Sequence, residues 1–180
     1  MLYLYSIYIQ PYFKYRSMKK IFLSLALAYG SHGIAQAVQE GQQTPECPSA
    51  LTEGGNKLDI SAYKNKVVLI DFWATWCPPC QKSMPFFNEL RSQHLKDGFE
   101  IVAINVDEDS KTAKEFLNSH PVTYKIAFDP SGNCPGIFDV KAMPSSYLVD
   151  KTGKIRQIHL GFRDEDQVVL REQIAALLAE

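Results

Sequence analysis

Two stretches of this chain are almost wholly apolar, β-branched and aromatic: Val67–Phe72, interrupted only by Asp71, and Phe99–Val106, interrupted by Glu100 and Asn105. Runs of that length without polar alternation predict strands covered on both faces, as in the centre of an α/β sheet. Helical spacing surrounds them. Met84, Phe87 and Leu90 form one inward stripe, Ala113, Phe116 and Leu117 a second that Pro121 ends, and Leu170, Ile174, Leu177 and Leu178 a third. Asp107–Ser110 reads as the cap region of the second helix, and Asp164 with Gln167 as a capping-box-like start for the third. Lys125–Phe128 reads as a short strand and Asp129–Asn133 as a turn. Ser145–Val149 and Ile155–Leu160, joined by Lys151-Thr152-Gly153-Lys154, read as an antiparallel hairpin at a sheet edge. Gly54-Gly55-Asn56 within Leu51–Tyr63 suggests a further hairpin leading into the first core strand. Strands alternating with helices imply right-handed crossovers and a mostly parallel core.

The junction after the first core strand carries the chemistry. Trp73–Trp76 reads as a turn and Cys77 as a helix N-cap, with Pro78 and Pro79 in the first two helical positions, where no N–H is missed. Pro78 also pushes Cys77 toward the extended geometry of an N-cap. Pro85, inside the helix, removes the bond to the Gln81 carbonyl and predicts a kink. A helix N-terminus favours negative charge, so Cys77 is expected to be the more easily ionised thiol, and the thiolate is the species that attacks disulfides. Cys80, one turn further in, is expected to be buried. Zinc would need a second cysteine pair, whereas Cys47 and Cys134 stand apart. These two could form a structural disulfide or remain inert thiols. A c-type haem would need histidine where Gln81 stands. His94, His120 and His159 form no constellation and are expected at the surface. Asp71 is either a solvent-facing acid or a buried one able to take a proton from Cys80.

Asp71–Cys80 resembles the active site of the thioredoxin superfamily, and more narrowly of its TlpA/ResA-like branch of extracytoplasmic thiol:disulfide oxidoreductases. Asp71 stands six residues before Cys77, where many thioredoxins carry a buried acid beneath the resolving cysteine. Met143–Asp150 is similar to that family's cis-proline strand, Lys151–Lys154 to the turn after it, and Phe99–Phe128 to the extra strand-helix unit of TlpA-like proteins. The resemblance runs from about Leu51 to Glu180. It implies an α/β, thioredoxin-like fold: a central mixed sheet flanked by helices, with an N-terminal hairpin and a strand-helix insert. It also implies Cys77, Cys80 and Asp71 as catalytic residues and Trp76, Pro78, Met143 and Pro144 as the substrate-binding rim. No metal or cofactor is implied beyond the redox-active Cys77–Cys80 disulfide. The implied partners are a disulfide-bearing client protein, whether an apocytochrome c, a copper-site protein or a protein with scrambled disulfides, and a membrane thiol reductant. A non-catalytic binding or metal-handling module on the same fold is the alternative of a different class, and a disulfide oxidase or isomerase the alternative within it.

Charge changes the picture in one respect. The 180 residues have a formal net charge of −1, but residues 1–37 hold Lys14, Arg16, Lys19 and Lys20 and no acid, leaving 15 basic against 20 acidic residues and a net of −5. Such a protein offers no basic stripe for nucleic acid. Met18-Lys19-Lys20, the apolar run Ile21–Tyr29 and Ala35-Gln36-Ala37 read as a secretory signal peptide over residues 18–37. The nine-residue run is short for a bilayer, which takes about 20 apolar residues. Residues 1–17, with five tyrosines, read as an upstream extension outside the translated protein, or else as an aromatic membrane-proximal segment. Residues 38–50 read as a linker and 51–180 as the folded domain. The expected location is the periplasm or another extracytoplasmic space, with a soluble protein after cleavage near Ala37.

Overall fold

The computed structural model describes residues 38–180; the expected upstream extension, signal peptide and cleavage site lie outside them. In chain order the elements are β1 (Leu51–Thr52), β2 (Val67–Trp73), α1 (Pro78–His94), β3 (Phe99–Asn105), α2 (Ser110–Ser119), β4 (Lys125–Phe128), α3 (Asn133–Ile137), β5 (Ser145–Val149), β6 (Ile155–Leu160) and α4 (Asp166–Ala179). They build one six-stranded mixed sheet in the order β1-β4-β3-β2-β5-β6. β2 pairs parallel with β3 and β3 with β4, while β1–β4, β2–β5 and β5–β6 are antiparallel. The parallel pairs therefore form the interior of the sheet and the antiparallel ones its flanks.

The uninterrupted apolar run of β2 follows from this central place. Every one of its residues is buried. Val67, Leu69 and Trp73 enter a cluster with Leu90 of α1 and Leu170, Ile174 and Leu177 of α4. Val68, Ile70 and Phe72 enter the opposite cluster with Ile60, Phe138 and Tyr147. Period-two alternation puts Asp71 on the first of these faces, the one that α1 and α4 cover.

Three features differ from the sequence-based reading. The turn expected over Asp129–Asn133 leads into a short helix that was not expected, α3 (Asn133–Ile137), where the Asp129 carboxylate accepts from Cys134 N at 2.7 Å. α4 starts at Asp166, whose own carboxylate reaches back to Arg163 N at 2.7 Å. Asp164 instead pairs with Lys82 of α1. The segment expected as a linker is bonded to the domain: Gly41 N donates to Ile155 O (2.7 Å), Ile155 N to Gln42 O (2.9 Å) and Thr44 N to Gly153 O (2.9 Å). This strap pairs with the start of β6, which otherwise presents unpaired backbone at the edge of the sheet. Glu46 accepts from Ile60 N and Ser61 N, and Cys47 is disulfide-bonded to Cys134 with its Cα atoms 5.4 Å apart.

Candidate active site

Cys77 is the N-cap of α1, with extended backbone (φ −106°, ψ 97°), and Pro78 and Pro79 open the helix. The two prolines leave Cys80 as the first residue of the turn with an N–H to offer, and it donates to Cys77 Sγ at 3.3 Å. Cys77 and Cys80 are joined as a disulfide with Cα atoms 5.3 Å apart. Cys80 is 0% exposed and Cys77 3%, so the pair is recessed, and what access exists is on the Cys77 side. Trp76, 64% exposed, stands beside it, and Pro78 and Pro79 are also exposed.

The turn before Cys77 is bolted to β3. The Asp107 carboxylate accepts from Thr75 N (3.1 and 3.2 Å) and from Thr75 Oγ1 (3.0 Å). Asn105 Nδ2 donates to Asp107 Oδ2 at 2.7 Å and Asn105 Oδ1 accepts from Asp107 N at 3.2 Å. From the helix side, Gln81 Nε2 donates to Thr75 O at 2.8 Å. Trp76 and Cys77 thus hang from a turn fixed at both ends. The sequence pattern points Asp107 to a helix cap and gives no role to Thr75 or Asn105. The usable signal is two polar residues, spaced Asn-x-Asp, at the C-terminal end of a core strand, where open α/β sheets place their sites.

Asp71 is 3% exposed. Its register partners are Ala103 on β3, which brings no charge, and Ser146 on β5, whose Oγ donates to Asp71 Oδ1 at 2.6 Å. Burial raises the carboxyl pKa to about 7, the Ser146 hydrogen bond pulling weakly the other way. A carboxyl poised there exchanges protons at neutral pH. It lies on the face of the sheet whose cluster contains Cys77 and Cys80.

Met143–Pro144 is a cis peptide immediately before β5. Met143 is half-buried against the cluster that contains both cysteines, and Pro144 is buried, its carbonyl accepting from Gly161 N at 2.8 Å. The structure thus brings Met143 and Trp76 to the cysteine end of the sheet with Asp71 beneath. Cys47 and Cys134 belong to the opposite cluster. Among the described residues no group of three or more His, Cys, Asp or Glu is placed to hold a metal ion.

Comparison with known proteins agrees with this geometry. Residues 39–175 match the Redoxin family. Thiol-disulfide oxidoreductase ResA of Bacillus thuringiensis is 32% identical over 146 residues, covering 81% of this chain and 84% of ResA. Thioredoxin-like protein YneN of Bacillus subtilis is 35% identical over 127 residues, covering 69% and 73%. Among solved structures, a thiol:disulfide interchange protein DsbE from Chlorobium tepidum superposes with a TM-score of 0.75 at 38% identity, covering 79% of this chain and 99% of that one.

Proposed function

Since this chain belongs to the Redoxin family, as a ResA-like thiol-disulfide oxidoreductase, we propose that it works as a reductant of client-protein disulfides outside the cytoplasm. The observation that carries this reading is the pair itself: a cysteine N-cap whose sulfur receives one N–H, that of the second cysteine. In the reduced protein the Cys77 thiolate attacks a client disulfide, forming a Cys77–client disulfide and expelling a client thiolate, which takes a proton from water. Cys80 then gives its proton to Asp71 and attacks the Cys77 sulfur, so that the second client thiolate leaves and Cys77–Cys80 closes. A dithiol donor, proposed to be a membrane reductant, exchanges with that disulfide and restores both thiols. Trp76 and Pro78 serve as an apolar rim, and the backbone at Met143 and Pro144 pairs with an extended client segment.

The direction follows from how little favours the Cys77 thiolate. Stabilising the reduced form makes a pair more oxidising. Here the two intervening positions hold prolines, without charge or N–H, and Asp71, when ionised, disfavours a second anion nearby. Both effects draw the potential toward about −270 mV, the thioredoxin value, and away from about −120 mV, that of DsbA. Equilibration with glutathione buffers tests this: a potential more oxidising than about −180 mV, the protein disulfide isomerase value, refutes the reductase reading. Cys80→Ser is expected to accumulate Cys77–client disulfides whereas Cys77→Ser accumulates none, and equal trapping by both overturns the roles. For export, the support is the Met18–Ala37 pattern; intact mass of extracytoplasmic protein is expected to correspond to a chain starting at Val38.

A further inference from the structure

β5 opens with two buried serines in succession, Ser145 and Ser146. A hydroxyl hidden from water needs a partner, and strand alternation sends these two to opposite faces of the sheet. Ser145 Oγ donates to Ala142 O at 2.7 Å, bracing the bend that holds the cis Met143–Pro144 bond. Ser146 Oγ reaches across to β2 and donates to Asp71 Oδ1 at 2.6 Å. Asp71 and Ser146 are register partners, so the antiparallel ladder of β2 and β5 itself sets their approach. The cis-proline wall and the buried acid therefore hang from adjacent residues of one strand.

Little else polar engages Asp71. Among the described residues Ser146 is the one group that hydrogen-bonds its carboxyl, and Oδ2 accepts from none. Ala103, opposite on β3, is apolar. Asp107, just beyond β3, gives its carboxylate to Thr75 and Asn105. On the far side of Ser146 stands His159 of β6, whose Nε2 is engaged with Gln173 Oε1 of α4 at 2.8 Å. Tyr124, in the same cluster as the cysteines, is a phenol that burial keeps neutral. α1 adds the two cysteines to that cluster, while α2 and α4 present apolar residues to it, Ala113, Leu170, Ile174 and Leu177.

We propose that Ser146 is the positioning residue of the proton-transfer step: its hydroxyl occupies Oδ1 of Asp71, so that the proton leaving Cys80 is received at Oδ2. This rests on the Asp71 role above, and Ser146 acts through Asp71 rather than on the sulfurs. Oδ1 accepts from Ser146 before and after the transfer, which leaves Oδ2 as the oxygen that becomes O–H. The Cys80 S–H becomes a thiolate, and Ser146 keeps its own proton throughout. A hydroxyl donates more strongly to a carboxylate than to a carboxylic acid. The bond therefore opposes the rise that burial imposes and keeps part of Asp71 ionised, and so able to act as a base, at neutral pH.

Two measurements on the secreted protein test this. The first is infrared titration of the oxidised form, with the Asp71 carboxyl band identified by its loss in Asp71→Asn. The Ser146→Ala midpoint is expected about one pH unit above that of the wild type, a tenfold weaker acid, and Ser146→Thr, which keeps the hydroxyl, close to the wild type. The second is the rate of Cys77–Cys80 closure in the reduced protein mixed with excess glutathione disulfide, followed against pH. A base half ionised at pH 7 becomes about one-tenth ionised, so Ser146→Ala is expected to close about fivefold more slowly there and to recover by about pH 9. His159→Gln is expected to leave the midpoint where it is. An Asp71 band that titrates alike in wild type and Ser146→Ala refutes the proposal. Slow closure of Ser146→Ala with an unmoved midpoint is a packing effect and refutes it too, as does a midpoint that moves with His159→Gln. If Asp71→Asn is slow while the Ser146→Ala profile is unmoved, only the Ser146 role falls. If Asp71→Asn closes with the wild-type rate and profile, the Asp71 role falls and that of Ser146 with it.

Discussion

Replacing Asp71 by asparagine is expected to stabilise this protein, and only above mildly acidic pH. The folded carboxyl has a pKa of about 7 because burial penalises its charged form, against 3.8 for an unperturbed carboxyl. Between those values the folded state holds a proton that the unfolded state has released. Stability therefore falls as pH rises through this window. The contribution of neutral Asp71 is complete below about pH 4 and is lost as pH passes through about 7. About three pH units at about 1.4 kcal/mol each give a loss on the order of 4 kcal/mol. Asparagine is nearly isosteric, keeps an Oδ1 able to accept from Ser146, and does not ionise. The assay is urea unfolding of the oxidised wild type and of Asp71→Asn from pH 4 to pH 8.5, because every other titrating group is common to both and cancels. The two are expected to be close at pH 4 and to diverge up to pH 8, with the variant the more stable by about 4 kcal/mol. A difference that stays flat across this range, or a wild type that gains on the variant as pH rises, refutes the claim that Asp71 is buried without a compensating charge.

Two further outcomes follow from the scaffold. Cys47→Ala with Cys134→Ala opens a loop with a sequence separation of 87 residues and is expected to cost about 4–5 kcal/mol in the chain-entropy model while leaving the Cys77/Cys80 potential unchanged, as urea unfolding and glutathione titration check. Asp107→Ala leaves Thr75 N, Thr75 Oγ1 and Asn105 Nδ2 without their acceptor. It is expected to cost about 2–3 kcal/mol and, by loosening the turn before Cys77, to slow client reduction by up to about 100-fold, measured by insulin reduction against urea unfolding.

What was legible in the sequence was what acts over short range. Cys77, Pro78, Pro79 and Cys80 specify their helix start among themselves, since proline geometry and an N-cap sulfur need no distant partner. The buried β2 and β3 were legible for a related reason: strands covered on both faces lose their polar alternation. Asp107 was opaque because its partner Thr75 lies 32 residues earlier, and an aspartate after a strand looks the same whether it caps the next helix or holds a turn across the sheet. The strap at 38–50 was opaque because its pairing with the start of β6 is made by backbone atoms, and backbone atoms leave no mark on composition. α3, at five residues, is shorter than any helical period can register. For Cys47 and Cys134 the sequence left two alternatives, since a Cα separation is a property of the folded chain.

The central position of β2 also sets the order in which this molecule becomes competent. One edge of β2 is closed by β3, which begins at Phe99, soon after α1 ends. The other is closed by β5, whose Ser146 lies 75 residues beyond Asp71. A chain emerging from its N-terminus can therefore assemble β2, α1 and β3 while one edge of β2 still lies open to water. Until Ser145–Val149 arrives, Asp71 is a hydrated acid of ordinary strength, and the two thiols near it have neither their buried neighbour nor the Met143–Pro144 wall. The arrangement of cysteines, buried acid and cis-proline wall is thus complete only once β5 has docked on β2.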